Sequence, residues 1–286
     1  MAKKKNKSPT IHESFLAYKK YRYLKLSALL CLLSLAGYFW FDFDPSRNGG
    51  TWVGYTLGTI GALLILWLTL LGMRKRAITQ GHWSLKGWTS AHVYLGMSLI
   101  IVATLHTGFQ FGWNLHTLAY TLMMIVVISG LFGIYFYAVV PRRMSINRGD
   151  MSQANMLDEI ANLSRLLRDT AQPLQDDYIE TVQQSINNTK LGGSFFKRAS
   201  GKDKKCPTAA ALRFFRAEIR TADNQYHGAL LDLISVLERK NALLHRVRRH
   251  IRHKTIMGGW LYLHIPLTFA LLAALTAHIV SVFYYS

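Results

Sequence analysis

The chain has 286 residues, 50% of them hydrophobic, and a formal net charge of +19 from 34 Lys and Arg against 15 Asp and Glu. So basic a balance suggests a nucleic-acid partner. However, the cations avoid the long apolar runs and gather between them, which excludes that class in favour of a membrane protein with one large polar insertion. Two cysteines, Cys31 in an apolar run and Cys206 in a polar one, exclude a disulfide framework and a cysteine zinc site.

Residues 1–25 form a basic tail of eight Lys and Arg, too long and polar before the first apolar run to be a cleavable signal. The first span is expected over about 26–42, beginning somewhat earlier. It ends in Tyr38, Phe39, Trp40 and Phe41, an aromatic group suited to a membrane interface. A second span is expected over 52–73, with Gly54, Gly58 and Gly61 on one face, and a third over 88–109. After the short turn FGWN, a fourth is expected over 114–140, stopping at Pro141-Arg142-Arg143. A fifth occupies 258–284, where Pro266 is expected to bend it.

Between the last two spans lies a polar insertion, 141–257. Met156, Ile160, Leu163 and Leu167 recur at helical spacing. Thr208–Arg220 is a second helix, and Leu230, Leu233, Leu237, Leu244, Val247 and Ile251 mark a third. The stretch SINNTKLGGSFFKRASGKDKKCPT between them reads as a flexible loop. The insertion carries no nucleotide-binding fingerprint and no cysteine cluster.

Lys and Arg number eight in the tail, four in the 74–87 loop and 21 in the insertion, against Arg47 alone on the other side. The positive-inside rule then makes the tail and the insertion cytoplasmic and the C-terminus external. The expected fold class is an all-α polytopic membrane protein: tail 1–25, helices one to four within 26–140, helical cytoplasmic insertion 141–257 and helix five within 258–286.

Helix three carries His92 and His106, and helix five carries His264 and His278. Each pair is fourteen residues apart, which on an α-helix is about 21 Å of rise with the side chains about 40° apart around the axis. Both helices run from inside to outside, so His92 meets His264 near one surface and His106 meets His278 near the other. A lone imidazole in a span is also explained by a hydrogen bond to a neighbouring helix. Two pairs with equal spacing at matching depth point instead to four axial ligands for two haems in the core of a four-helix bundle. No Cys-x-x-Cys-His occurs, so such haems are non-covalent.

The glycines, with Gly96, Gly130 and Gly133, admit either a porphyrin or close helix packing. Arg74, Arg76 and Lys86 are candidate propionate partners at the inner end, or equally positive-inside anchors, and Arg47, Asn114 and Trp113 are candidates at the outer. His116, at the start of helix four, is a candidate for quinone binding, proton relay or a propionate contact, or an interfacial residue. Among the other histidines, His82, His245, His250 and His253 read as interfacial or solvated.

Two spans, each with two His fourteen apart, resemble the di-haem membrane b-type cytochromes, which include cytochrome b of quinol-oxidising complexes and bacterial cytochrome b561-like proteins. The resemblance covers 52–140 and 258–286 and the positions His92, His106, His264 and His278. It implies two bis-His haems b carrying electrons between membrane faces, commonly to or from quinone. The chain departs from it in an additional first span, the insertion, and the lack of a Pro-Glu-Trp-Tyr-type quinol motif. The expected function is an electron relay in a bacterial inner membrane, exchanging electrons with quinone or a partner redox protein, alone or as a subunit of a larger complex. The alternatives are a self-standing haem-edge oxidoreductase acting on superoxide or ferric iron, and a haem-free transporter or scaffold whose histidines relay protons.

Overall fold

Small polar side chains mark where the apolar helices begin. Thr51 Oγ1 accepts from the Gly54 amide at 3.0 Å, Ser84 Oγ from Gly87 at 3.1 Å, and Asn114 Oδ1 from Thr117 at 2.9 Å. Each satisfies an amide that the first turn leaves without a partner, typically worth about 1 kcal/mol. The computed structural model describes residues 14–41, 49–76, 84–148, 152–221 and 224–285, with the backbone alone at 76, 137–148, 224 and 285.

Among the described residues all regular structure is helical. In chain order the helices are α1 (Tyr18–Trp40), α2 (Trp52–Arg76), α3 (Leu85–Thr107), α4 (Leu115–Arg148), α5 (Gln153–Ala171), α6 (Asp176–Asn187), α7 (Phe195–Ser200), α8 (Pro207–Glu218) and α9 (Asn224–Tyr285). Five of them, α1 to α4 and α9, are long and apolar enough to cross a membrane. The chain is an all-α polytopic membrane protein. It divides into two units, one of Met1–Ala138 with Trp260–Ser286 and one of Val139–Gly259.

In the first unit α3 approaches α2 and α1 backbone to backbone, while α4 and the apolar part of α9 meet it mainly through side chains. Tyr38, Val53, Leu57, Val102 and Leu105 form one buried cluster, and Ile65, Leu99, Met123 and Leu271 a second. Leu32 and Leu33 on α1, Leu63 on α2, Ile128 on α4 and Phe269 on α9 point outward, an arrangement costly in water and favourable in hydrocarbon. Polar side chains turn inward instead: Ser27 Oγ donates to Tyr94 O at 2.8 Å, and Thr104 and Tyr120 share a hydrogen bond of 2.9 Å.

One boundary falls where the sequence reading put it, somewhat before residue 26, and two differ from that reading. Regular helix in α1 begins only after Lys19, Lys20 and Tyr21, which take left-handed φ values of 45°, 56° and 62°. That conformation costs non-glycine residues roughly 1–2 kcal/mol each. The fourth helix does not stop at Pro141 but continues to Arg148. Proline's φ is compatible with a helix, and its ring removes one backbone hydrogen bond without forcing a stop. The third helix of the insertion and the fifth span are not separate: α9 is continuous over 62 residues and runs through Pro266.

The second unit packs α5, α6, α8 and the first part of α9 around Met156, Leu163, Leu167, Val182, Phe215, Leu230, Leu233 and Leu237. The stretch 185–208 is not the featureless loop its composition suggests. It finishes α6 and forms α7, and its second half is tied down by Arg248, which donates to Asp203 at 2.9 Å and to Cys206 Sγ at 3.3 Å. Thr189 and Thr208 close the same stretch at 2.8 Å.

Lys240 is 1% exposed in this unit, and its Nζ has no hydrogen-bond partner among the described residues. A buried, uncompensated amine weakens the fold. Lys240→Met, similar in length and apolar, is expected to stabilise the second unit by on the order of 2 kcal/mol, read as a higher unfolding midpoint in denaturant.

Candidate functional site

An imidazole in an apolar bundle must satisfy two ring nitrogens, and the partner of one fixes the role of the other. His106 Nδ1 lies 2.8 Å from the carbonyl of Gly54, and His92 Nδ1 lies 3.1 Å from that of Leu68. A carbonyl oxygen only accepts, so in both rings Nδ1 carries the proton and Nε2 keeps its lone pair. His264 reaches the same state through a side chain. Ser129 Oγ donates its one proton to Val126 O at 2.8 Å, so it accepts from His264 Nδ1 at 2.6 Å. Trp260 supports the pair, its indole N–H donating to Ser129 O at 2.7 Å and its ring lying 5.1 Å from that of His264.

Glycines make room for these rings. A Cβ at Gly58 would lie 2.6 Å from His106 Cε1, and one at Gly49 would lie 3.3 Å away. At Gly133 it would strike the indole of Trp260, while at Gly130 it would sit 3.9 Å from His264. At Gly61 and Gly96 a Cβ would meet only Val102 and Leu68, each at 3.9 Å, so the demand for glycine is strongest where an imidazole or its supporting indole passes.

The structure brings His106 and His278 together with ring centroids 6.2 Å apart. It adds His116, whose ring lies 4.8 Å from that of His278 and 5.4 Å from that of His106. One ligand atom from each of the three lies within 4.8 Å of the others. At the other end His92 is held to the carbonyl of Leu68 on α2 and His264 to Ser129 on α4, and Lys75 stands in the last turn of α2. Arg74 lies beside it in the last turn of α2, and Lys86 stands 6.0 Å from the ring of Tyr18. Asn114 caps α4 and lines the cavity described next. Arg47, His82 and the side chain of Arg76 lie outside the described residues.

Beside the three-histidine cluster a cavity of about 890 Å³ runs between α2, α3, α4 and α9. Its walls are mostly apolar, with Gly58 and Gly61 on one side and Leu99, Met123 and Leu271 deeper in. Its polar edge holds Gln110, Asn114 and Tyr120 as well as the histidines, and among the described residues no Lys or Arg lines it. The volume is at the upper end of the roughly 300–1,000 Å³ usual for cofactor-sized ligands. An iron about 2 Å from a nitrogen of each of two facing imidazoles sets their ring centroids about 6 Å apart, the spacing of His106 and His278; the three ring separations place His116 beside the midpoint of that pair, so its side chain has to turn aside for a porphyrin to enter.

Three features here had no signal in the sequence. Ser129 and Trp260 are common residue types in spans, and their partners lie more than 130 positions away in sequence. The carbonyl acceptors of α2 carry no side-chain mark at all. No protein-family model, curated protein or solved structure matches the chain.

Because His106 is wedged against the bare backbone of α2, Gly58→Val is expected to cost about 1–3 kcal/mol of stability. Gly72→Ala, whose added methyl meets nothing within 4 Å, should cost nothing. Thermal unfolding of both variants in detergent, followed by far-UV circular dichroism, makes the comparison.

Proposed function

We propose that this chain is a di-haem b-type membrane cytochrome that carries electrons between the two faces of a bilayer. The observation that supports it best is the state of the imidazoles. His92, His106 and His264 each have Nδ1 held by an acceptor and Nε2 left with its lone pair, and His106 faces His278 at 6.2 Å beside a cavity of cofactor size. A hydrogen bond to a neighbouring helix satisfies only one ring nitrogen, so it does not account for the second.

His106 and His278 would hold one haem, and His92 and His264 the other. When bound, each haem supplies one-electron transfer at its edge. The chain's residues do the rest. The acceptors Gly54 O, Leu68 O and Ser129 Oγ keep Nε2 the basic nitrogen and fix each ring's angle. Leu99, Met123 and Leu271 exclude water along the cavity. The helical rise from His92 to His106, about 21 Å, covers most of a hydrocarbon core of about 30 Å. The four imidazoles would hold the two haems, which would supply electron exchange with quinone or a partner redox protein. The distribution of Lys and Arg favours a bacterial inner membrane with the second unit on the cytoplasmic side.

One observation favours a second reading, a non-haem metal ion at one end. The three ligand atoms of His106, His116 and His278 converge as they do around zinc or a first-row transition ion. A redox-titrated visible spectrum with haem and metal counted per chain separates the two. Two haems per chain support the cytochrome. A colourless protein of full helicity overturns it, and metal without haem favours the second reading.

Within the first reading, His92→Ala or His264→Ala should each leave one haem per chain by pyridine haemochrome. Ser129→Ala removes only the acceptor behind His264. It should retain both haems at saturation while weakening one of them roughly 10–100-fold in a haem-transfer titration.

A further inference from the structure

We infer that the segment 190–203, packed on α9 just before its apolar part, is a docking surface for anionic phospholipid headgroups. The inference does not depend on what the histidines of the first unit hold. It rests on three observations in the second unit: a gathering of cations, two exposed phenylalanines beside them, and the place of both along α9.

A small open pocket is lined there by Lys190, Lys197, Arg198, Lys202 and Arg248, and among the described residues that line it the one acid is Asp203. Asp203 meets Arg248 at 2.9 Å and Lys197 at 3.9 Å, so a single carboxylate serves two of these cations and the pocket keeps a strong positive excess. Like charges held this close repel one another, and a bound anion offsets that repulsion. The pocket's volume, about 20 Å³, admits roughly one water-sized group, so it seats an oxygen of a headgroup phosphate and does not enclose a soluble ligand.

The phenylalanines say what carries the phosphate. α7 opens with Phe195 and Phe196, 45% and 81% exposed, directly before Lys197 and Arg198. Exposed aromatic rings beside Lys and Arg match the boundary between headgroups and acyl chains. Their place along α9 agrees. A Cβ at Gly259 would lie 2.7 Å from Phe195 Cζ, and one at Gly201 would lie 2.9 Å from Arg252 Cδ. Lys254 is the last charged side chain, since 255–286 holds no Asp, Glu, Lys or Arg. From Arg252 to Gly259 the helix rises about 10 Å, of the same order as the roughly 5–8 Å between hydrocarbon and the outer edge of the headgroups. Phe195 is thus level with the start of the apolar run, and Arg252 and Arg248 precede it by the depth of a headgroup layer.

The test places the full-length chain in nanodiscs of phosphatidylcholine, alone or with phosphatidylglycerol, and follows hydrogen–deuterium exchange. Amides of 193–203 are expected to exchange at least roughly five-fold more slowly with phosphatidylglycerol present, the factor that one Lys or Arg gains at an anionic surface. Lys197→Gln/Arg198→Gln should abolish that difference and Phe196→Ser should narrow it. Arg165→Gln/Arg213→Gln, which removes as much charge from α5 and α8, should keep it. Lys190→Gln/Lys202→Gln is the second pocket variant in case the first does not fold. Equal exchange in the two kinds of disc overturns the inference. So does a control pair that abolishes the difference as fully as the pocket pair, which would make net charge the cause. Inorganic phosphate that slows exchange in phosphatidylcholine discs as much as phosphatidylglycerol does overturns it too, because the site would then take a soluble anion.

Discussion

The first unit depends on how ring nitrogens are satisfied where water is scarce. An imidazole in hydrocarbon is tolerable only if its N–H finds an acceptor, and an α-helix offers few carbonyls that are not already engaged. Here two of the rings borrow carbonyls of α2, and a third takes a serine hydroxyl whose own proton is spent on Val126. Each solution satisfies one nitrogen and leaves a basic one behind. The approach of α3 to α2 is tightest at Gly58, where the ring of His106 lies against bare backbone.

The same constraint separates what was legible in the sequence from what was not. The fourteen-residue spacing carries through helical geometry, so the meeting of His106 with His278 could be anticipated from the chain. So could α5, where Met156, Leu163 and Leu167 mark a buried stripe. His116 was visible as an anomaly, but its place beside His278 depends on where α4 stands, and no periodicity reports that. Ser129 was invisible for a related reason: a serine in a span bonds its own helix in most settings, and only the position of α9 gives it a second task.

Boundaries failed where local chemistry was ambiguous. Pro141 reads as a stop, yet a proline ring accommodates a helix whose other bonds remain in place. The gap before Gly258 reads as a break because its Arg and His residues look like a membrane edge, yet none of them breaks a helix, and α9 continues through it. In the second unit the glycine- and lysine-rich stretch around 190–205 reads as loose. Asp203, the acid that meets Arg248 there, is what orders it.

The three histidines at one end also stand in opposite electrical settings. His106 is in the last turn of α3, where aligned peptide dipoles leave about half a negative charge, while His116 is in the first turn of α4, where they leave about half a positive one. A cation bound among these rings would be favoured by the end of α3 and opposed by the start of α4, so the two helices pull its affinity in opposite directions.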